Sequence, residues 1–199
     1  IKLDGNYPVG SGNVALGDAA LASGSLSGGD NTAIGFQALT TNTSGTVNTA
    51  VGGDALRYNT TGGNNASLGV NALKQNTSGS YNTGIGRSAL QSNTTASSNT
   101  AVGYKAGYSN TTGTFNVALG ASALDANTTA TRNTALGYNA LTTNVLGSRS
   151  TAVGQGALEA QNPASSVDMY NTAVGAGAGQ AVTTGVQNTL IGGLAGDAL

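Results

Sequence analysis

Carboxylates are the side chains of this chain whose spacing could support catalysis. Asp125 and Glu159 occupy equivalent places in a repeated pattern, and two facing carboxylates can act as general acid and general base. They are two repeats apart, which in a stacked fold separates them by roughly 10 Å. The eight acidic residues are otherwise dispersed along the sequence. The sequence therefore predicts no catalytic residues, and we expect a protein that is not an enzyme.

Glycine and asparagine motifs match known ligand and modification signatures only in part. Residues 52–54 (Gly-Gly-Asp) form a fragment of the calcium-binding signature G-G-x-G-x-D. Residues 175–179 alternate Gly and Ala, but no helix pattern follows, as a dinucleotide site requires. Asn59 begins an Asn-Thr-Thr acceptor pattern that recurs because it belongs to a repeat. We therefore expect neither a metal site nor a cofactor.

The composition excludes several further classes of protein. The 199 residues include 32 glycines, no cysteine and no histidine, so disulfides, thiol nucleophiles, histidine bases and the usual zinc ligands are absent. The formal net charge of -1 gives no basic surface for nucleic acid. No apolar run approaches the roughly 18 residues of a membrane span. We expect neither nucleic-acid binding nor membrane insertion.

A 17-residue repeat organises the chain, with the consensus N-T-A-V-G-x-x-A-L-x-x-N-T-T-G-x-x. Its units begin at Asn13, Asn31, Asn48, Asn65, Asn82, Asn99, Asn116, Asn133, Ser150, Asn171 and Asn188. Residues 1–12 are interpreted as a lead-in segment or the end of a preceding domain, and residues 13–199 as the repeat domain. The unit at 150–170 has 21 residues and predicts an outward bulge. The last unit is unfinished, so we expect the repeat to continue beyond residue 199.

The repeat unit favours short strands over helices. Helical repeats need 33 residues or more, and each Gly inside a helix is unfavourable by about 1 kcal/mol relative to Ala. Strands at N-T-A-V-G and at A-L-x-x-N, joined by the turn residues Asn-Thr-Thr-Gly, fit the length better. The sequence therefore predicts an all-β parallel β-solenoid of about eleven 17-residue coils, stacked roughly 4.8 Å apart.

Individual positions of the repeat predict structural roles. Val51 (position 4) and Leu56 (position 9) are expected to fill the interior, and Gly52 (position 5) to turn the chain with φ > 0. Ala50 and Ala55 (positions 3 and 8) are expected to let neighbouring chains approach. The column of Asn59 (position 12) is expected to form a hydrogen-bonded ladder along the stack. Because each coil offers few large apolar residues, the core is thin, and we expect an oligomer.

The variable positions hold the candidate contact residues. Phe36, Tyr104 and Tyr138 share position 6, and Tyr170 ends the bulge. Exposed aromatic rings can stack on sugars or contact protein, and they can equally cover seams between chains. Charged residues are scattered among the positions of the repeat. The pair most similar to a column of like charges is Arg57 and Lys74, which share position 10 and are expected to stack.

The Asn-Thr-Ala-Val-Gly-x-x-Ala-Leu units of residues 13–199 resemble two related groups of repeats. One is the head of trimeric autotransporter adhesins (YadA-like), whose shorter S-V-A-I-G units form a left-handed parallel β-roll in a trimer. The other is the repeat region of phage tail fibres, which is more similar in its Asn-Thr-Ala-Val-Gly and Asn-Thr-Thr-Gly phrases. The unit here is longer than the adhesin repeat, and its position 2 is mostly Thr rather than Val.

The resemblance implies a left-handed homotrimer that forms a structural or adhesive segment of a phage tail fibre and takes part in host-cell attachment. Its location would be the virion, and its partners would be itself and a host-surface glycan or protein. The alternative is the head of a bacterial trimeric surface adhesin, at the cell surface. A third alternative is an ice-binding solenoid, which needs a flat array of threonine hydroxyls. The recurrent pair Thr60-Thr61 is adjacent, so in a strand its two side chains would point to opposite faces and would not form such an array.

Overall fold

The computed structural model describes residues 11–197, and this part of the chain forms a parallel β-solenoid of about ten turns without any helix. Eleven three-residue strands lie in one parallel sheet, in the order β1-β2-β3-β4-β5-β6-β7-β8-β10-β12-β13. Two further strands, β9 and β11, pair separately. The strands are β1 (Val14–Leu16), β2 (Thr32–Ile34), β3 (Thr49–Val51), β4 (Ala66–Leu68), β5 (Thr83–Ile85), β6 (Thr100–Val102), β7 (Val117–Leu119), β8 (Thr134–Leu136), β9 (Gly147–Ser148), β10 (Thr151–Val153), β11 (Val167–Asp168), β12 (Thr172–Val174) and β13 (Thr189–Ile191).

The strand register follows the sequence repeat. Thr49 of β3 pairs with Thr32 of β2, and Val51 pairs with Ile34, so each residue lies beside the equivalent residue of the next coil. The predicted parallel β-solenoid is thereby confirmed. Of the predicted lead-in segment, residues 1–10 lie outside the described residues.

The second strand predicted for each unit, in the A-L-x-x-N segment, is wrong. Leu56 there has a φ of 50°, and Asp54 directly before the segment has a φ of 59°, which no extended strand accommodates. The Ala55 amide closes a turn on the Gly52 carbonyl at 3.2 Å, while the Leu56 amide donates to Ala72 of the next coil at 3.1 Å. The segment is therefore a run of turns tied to its neighbours by alternate backbone hydrogen bonds.

Gly52 ends the strand in a conformation that only glycine adopts readily. Its φ is 132°, and a Cβ atom added to it would lie 2.6 Å from the carbonyl oxygen of Gly69 in the next coil. Both the backbone conformation and the close stacking of the coils therefore require glycine at position 5.

The interior differs from the sequence expectation at positions 3 and 4. Ala50, Ala55 and Leu56 are fully buried, whereas Val51 lies half-exposed on the outer face of the sheet. Successive strand residues point to opposite faces, so the inward Ala50 forces Val51 outward. The expectations that Val51 fills the coil and that the alanines face other chains are wrong. A 17-residue coil encloses so little space that two methyl groups and one Leu fill its apolar part.

Buried asparagines complete the interior. The Asn59 amide nitrogen donates to Asn42 Oδ1 at 2.8 Å and to the Gly62 carbonyl at 2.9 Å, and Asn59 Oδ1 accepts from Asn76 at 2.7 Å. A second file runs along position 1, where the Asn48 side chain donates to that of Asn31 at 3.1 Å. These buried polar groups thus hold one coil on the next.

The 21-residue ninth coil joins the two files of asparagines. Gln161, at position 12, donates to Asn144 Oδ1 at 3.1 Å, and its Oε1 accepts from Asn171 at 2.8 Å and from the Ser150 hydroxyl at 3.1 Å. Residues 164–168 are exposed, while Met169 is fully buried. The longer Gln side chain therefore maintains the polar interior where Ser150 replaces the usual Asn.

Candidate binding surface

The outer face of the eleven-stranded sheet carries a file of aliphatic side chains. Position 4 of every coil is Val, Ile or Leu, and these side chains point to solvent. At least 36% of the surface is exposed in Leu16, Ile34, Leu68, Ile85, Leu136, Val174 and Ile191. The remaining members of the file are half-buried. The result is a continuous apolar strip along the described length of the rod.

The aromatic residues selected from the sequence are exposed but do not form one cluster. Phe36, Tyr104 and Tyr138 are each about half-exposed, two residues beyond the aliphatic file. Phe36 and Tyr104 are four coils apart, roughly 19 Å. Tyr170 lies on the other border of the sheet, two residues before β12. The four therefore offer separate contact points along the rod.

A group that sequence reasoning missed lies around Tyr170, at position 17 of four successive coils. Because 117, 134, 151 and 172 pair in register, the residues two places before them also stack. These residues are Phe115, Arg132, Arg149 and Tyr170. We call this group the position-17 file, after the last position of a 17-residue unit; Tyr170 is the last residue of its longer, 21-residue unit. Comparing the last residues of neighbouring units would have found the group.

Each arginine of the position-17 file lies over an aromatic ring. The Arg132 guanidinium is 5.7 Å from the centre of the Phe115 ring, and that of Arg149 is 5.6 Å from the centre of the Tyr170 ring. Arg149 also forms an ion pair with Asp168 of the bulge, with Nε and Oδ2 2.9 Å apart. Arg132 has no acidic partner among residues 11–197. The file thus presents two cations, one of them neutralised.

The basic pair expected at position 10 is neutralised by Asp54. Lys74 Nζ lies 3.0 Å from one carboxylate oxygen of Asp54, and Arg57 lies 3.3 Å from the other. Arg132 and Arg149 are therefore the more pronounced like-charged neighbours, which corrects the expectation from the sequence.

The carboxylates considered for catalysis remain apart. Glu159 accepts a hydrogen bond from Gln180 at 2.7 Å, and Asp125 lies two coils away. Burial raises the pKa of the Asp125 carboxyl above its ordinary value, and the nearby Lys105 ammonium partly opposes that rise. Within residues 11–197 no three acidic residues come together as metal ligands would. That part of the chain also contains no helix that is long and apolar enough to cross a membrane.

The interior contains a cavity of about 10 Å³ beside Gly107, which replaces the usual Leu at position 9. Asn127 lines it, and its buried Oδ1 accepts no hydrogen bond from the described residues. The space is about that of one water molecule, so it is too small for an organic ligand.

Comparisons of the chain with protein-family models, with curated proteins and with solved structures find no match.

Proposed function

We propose that this chain is a segment of a phage tail fibre, located in the virion, which assembles as a left-handed homotrimer and takes part in host-cell attachment. The observation that carries the proposal is the aliphatic file at position 4, exposed along the rod. Monomeric soluble proteins rarely expose a contiguous apolar patch of more than a few hundred Å². With eleven strands, the file extends roughly 50 Å.

Further copies of the same chain are the partners that fit this strip best. Another solenoid of the same repeat offers apolar side chains at the same spacing over the same length. The strip itself carries no charged side chain at position 4, so its burial desolvates no ion. Three strips meeting at one axis would each be covered by the other two, and the repeat resembles that of trimeric adhesins.

The assembly is tested by light scattering of the purified chain at micromolar concentration. We expect a mass of about 58 kDa, three times the 19.2 kDa of one chain. Ile85→Arg places a cation in the middle of the strip and should give a monomer. Thr95→Arg, on an exposed position outside the sheet, is the matched control and should leave the trimer intact. A monomeric wild type, or an Ile85→Arg variant that keeps the mass of the control, would refute the proposal.

The full-length gene product tests the origin of the segment. A tail fibre should place a tail-attachment domain and a self-cleaving chaperone beside the repeat. A coiled-coil stalk with a membrane anchor would instead identify the head of a bacterial adhesin.

A second candidate function, ice binding, draws on a file of exposed hydroxyl groups. The hydroxyls of position 14 are exposed in six successive coils, at Ser44, Thr61, Ser78, Thr95, Thr112 and Thr129. Position 16, which would have to supply a second file, is half-buried at Ser80 and Ser97. This candidate ranks second because Ser80 and Ser97, at position 16, already accept hydrogen bonds from backbone amides at 3.0 Å. Thermal hysteresis in a freezing assay would support it, and its absence would exclude it.

A further inference from the structure

The two arginines of the position-17 file depart from the pattern of the rest of the repeat, in which like charges do not stack in one column without a shared carboxylate. Identical charges in one column repeat at roughly 4.8 Å and repel. The other stacked cations, Arg57 and Lys74, share the carboxylate of Asp54. Arg132 and Arg149 share none, since Asp168 forms an ion pair with Arg149 and not with Arg132. Departures of this kind from the local pattern concentrate at functional positions.

The aromatic rings hold the two guanidinium groups apart. Arg132 turns towards Phe115 on one side, and Arg149 turns towards Tyr170 on the other. The Tyr170 hydroxyl also donates to Asp168 Oδ2 at 3.4 Å. The exposed Arg132 and the half-buried Arg149 thus lie between two exposed rings that are three coils, roughly 14 Å, apart.

We propose that the position-17 file binds a carboxylate-bearing sugar of the host surface, with Arg132 as the principal ligand to the carboxylate. The proposal rests on the proposed role in host attachment and names the class of its receptor.

The geometry favours an acidic sugar over an acidic peptide. A carboxylate fits the planar fork of donors that a guanidinium presents, and Arg132 is the arginine of the file that no acidic side chain occupies. The exposed faces of Phe115 and Tyr170 suit the apolar faces of sugar rings on either side. The backbone amides of Arg132 and Arg149 already donate to the preceding coil, each at 3.0 Å. They are not available to pair with an added peptide strand.

Calorimetric titration of the assembled chain with tri-galacturonate tests the site, with the neutral trisaccharide galactotriose as the comparison. We expect tri-galacturonate to bind and galactotriose not to bind. The affinity for tri-galacturonate should fall as NaCl rises from about 50 mM to about 500 mM, because salt screens the attraction between carboxylate and guanidinium. Arg132→Gln should weaken binding tenfold or more, and Arg132→Lys should weaken it less. Arg87→Gln removes an exposed arginine of position 6 and is the matched control, expected to bind as the wild type does. Thermal melting should be unchanged in all three variants.

Four results would overturn the proposal: no binding of tri-galacturonate, equal binding of galactotriose, equal weakening by Arg132→Gln and Arg87→Gln, or binding of tri-glutamate as tight as that of tri-galacturonate. The last would assign the site to acidic peptides. Light scattering of the same samples tests the fibre assembly separately. An intact trimer that fails to bind the sugar would therefore remove this site and leave the proposed fibre role standing.

Discussion

Replacing Asn59 with alanine tests whether the asparagine ladder stabilises the stack as much as the apolar core does. The Asn59 amide donates to Asn42 Oδ1 and accepts from Asn76, at 2.8 and 2.7 Å. The substitution leaves Asn42 Oδ1 and one N–H of Asn76 without partners in the interior. Gly62 keeps a donor, because its carbonyl also accepts from Asn48 at 2.8 Å.

Each buried polar group left unpaired is unfavourable by about 1–3 kcal/mol, so Asn59→Ala should lower the free energy of unfolding by about 2–6 kcal/mol. The matched control is Asn127→Ala in the same column. Asn127 donates to Asn110 at 2.7 Å but accepts no hydrogen bond from the described residues, so its loss leaves only one group unpaired. The control should be less destabilised than Asn59→Ala by about 1–3 kcal/mol.

Urea denaturation followed by circular dichroism measures both variants, at one protein concentration, because oligomer stability depends on concentration. Equal losses in the two variants would refute the reasoning, since the number of unpaired groups would then not determine the effect. A loss below about 1 kcal/mol for Asn59→Ala would show that water replaces the ladder without penalty.

Two further perturbations test the backbone and the charges. Gly52→Ala should lower the free energy of unfolding by about 1–3 kcal/mol or more, because the backbone there is strained for alanine and its Cβ would also meet the Gly69 carbonyl. The control is Gly53→Ala, whose Cβ meets nothing within 4 Å and which should have little effect in the same urea titration. Because burial raises the pKa of Asp125, its stabilising contribution is present below its ordinary value of 3.8 and is lost as pH rises through the folded-state pKa. Asp125→Asn should therefore raise the free energy of unfolding at pH 7, by no more than about 0.5 kcal/mol because solvent screens this half-exposed carboxyl, and should give no gain below pH 3.8. A gain that grows on acidification would contradict this sign.

The 17-residue period was enough to predict the solenoid, but not which apolar residues face inward. Ala50 and Val51 are neighbours in a strand, so either could have been the inward one. The distinction lies in side-chain size: position 3 is Ala, Ser or Gly in every unit except the last, which has Leu190, while position 4 is always Val, Ile or Leu. A narrow interior accepts only small side chains at the strand, whereas an outer face accepts larger ones.

The turn that replaces the predicted second strand could also have been predicted from the sequence. Leu56 adopts φ of 50°, which is unfavourable for a residue with a Cβ atom. In three other units the same position is glycine, and Gly107 and Gly179 have φ of 59° and 61°. Glycine that exchanges with Leu at one position of a repeat indicates positive φ, and this would have argued against a strand.

The position-17 file could not be found by reading one unit at a time, because its four residues become neighbours only through the register. Tyr170 stacks beside Arg149 although 21 residues separate them, since Thr151 and Thr172 remain paired across the longer coil. The bulge absorbs the extra residues, and it carries Asp168 to Arg149 at the same time. The constant positions of the repeat thus maintain the stack, while an insertion that leaves the register intact changes the surface chemistry beside it. That division explains why the sequence predicts the architecture of this rod more completely than its binding surface.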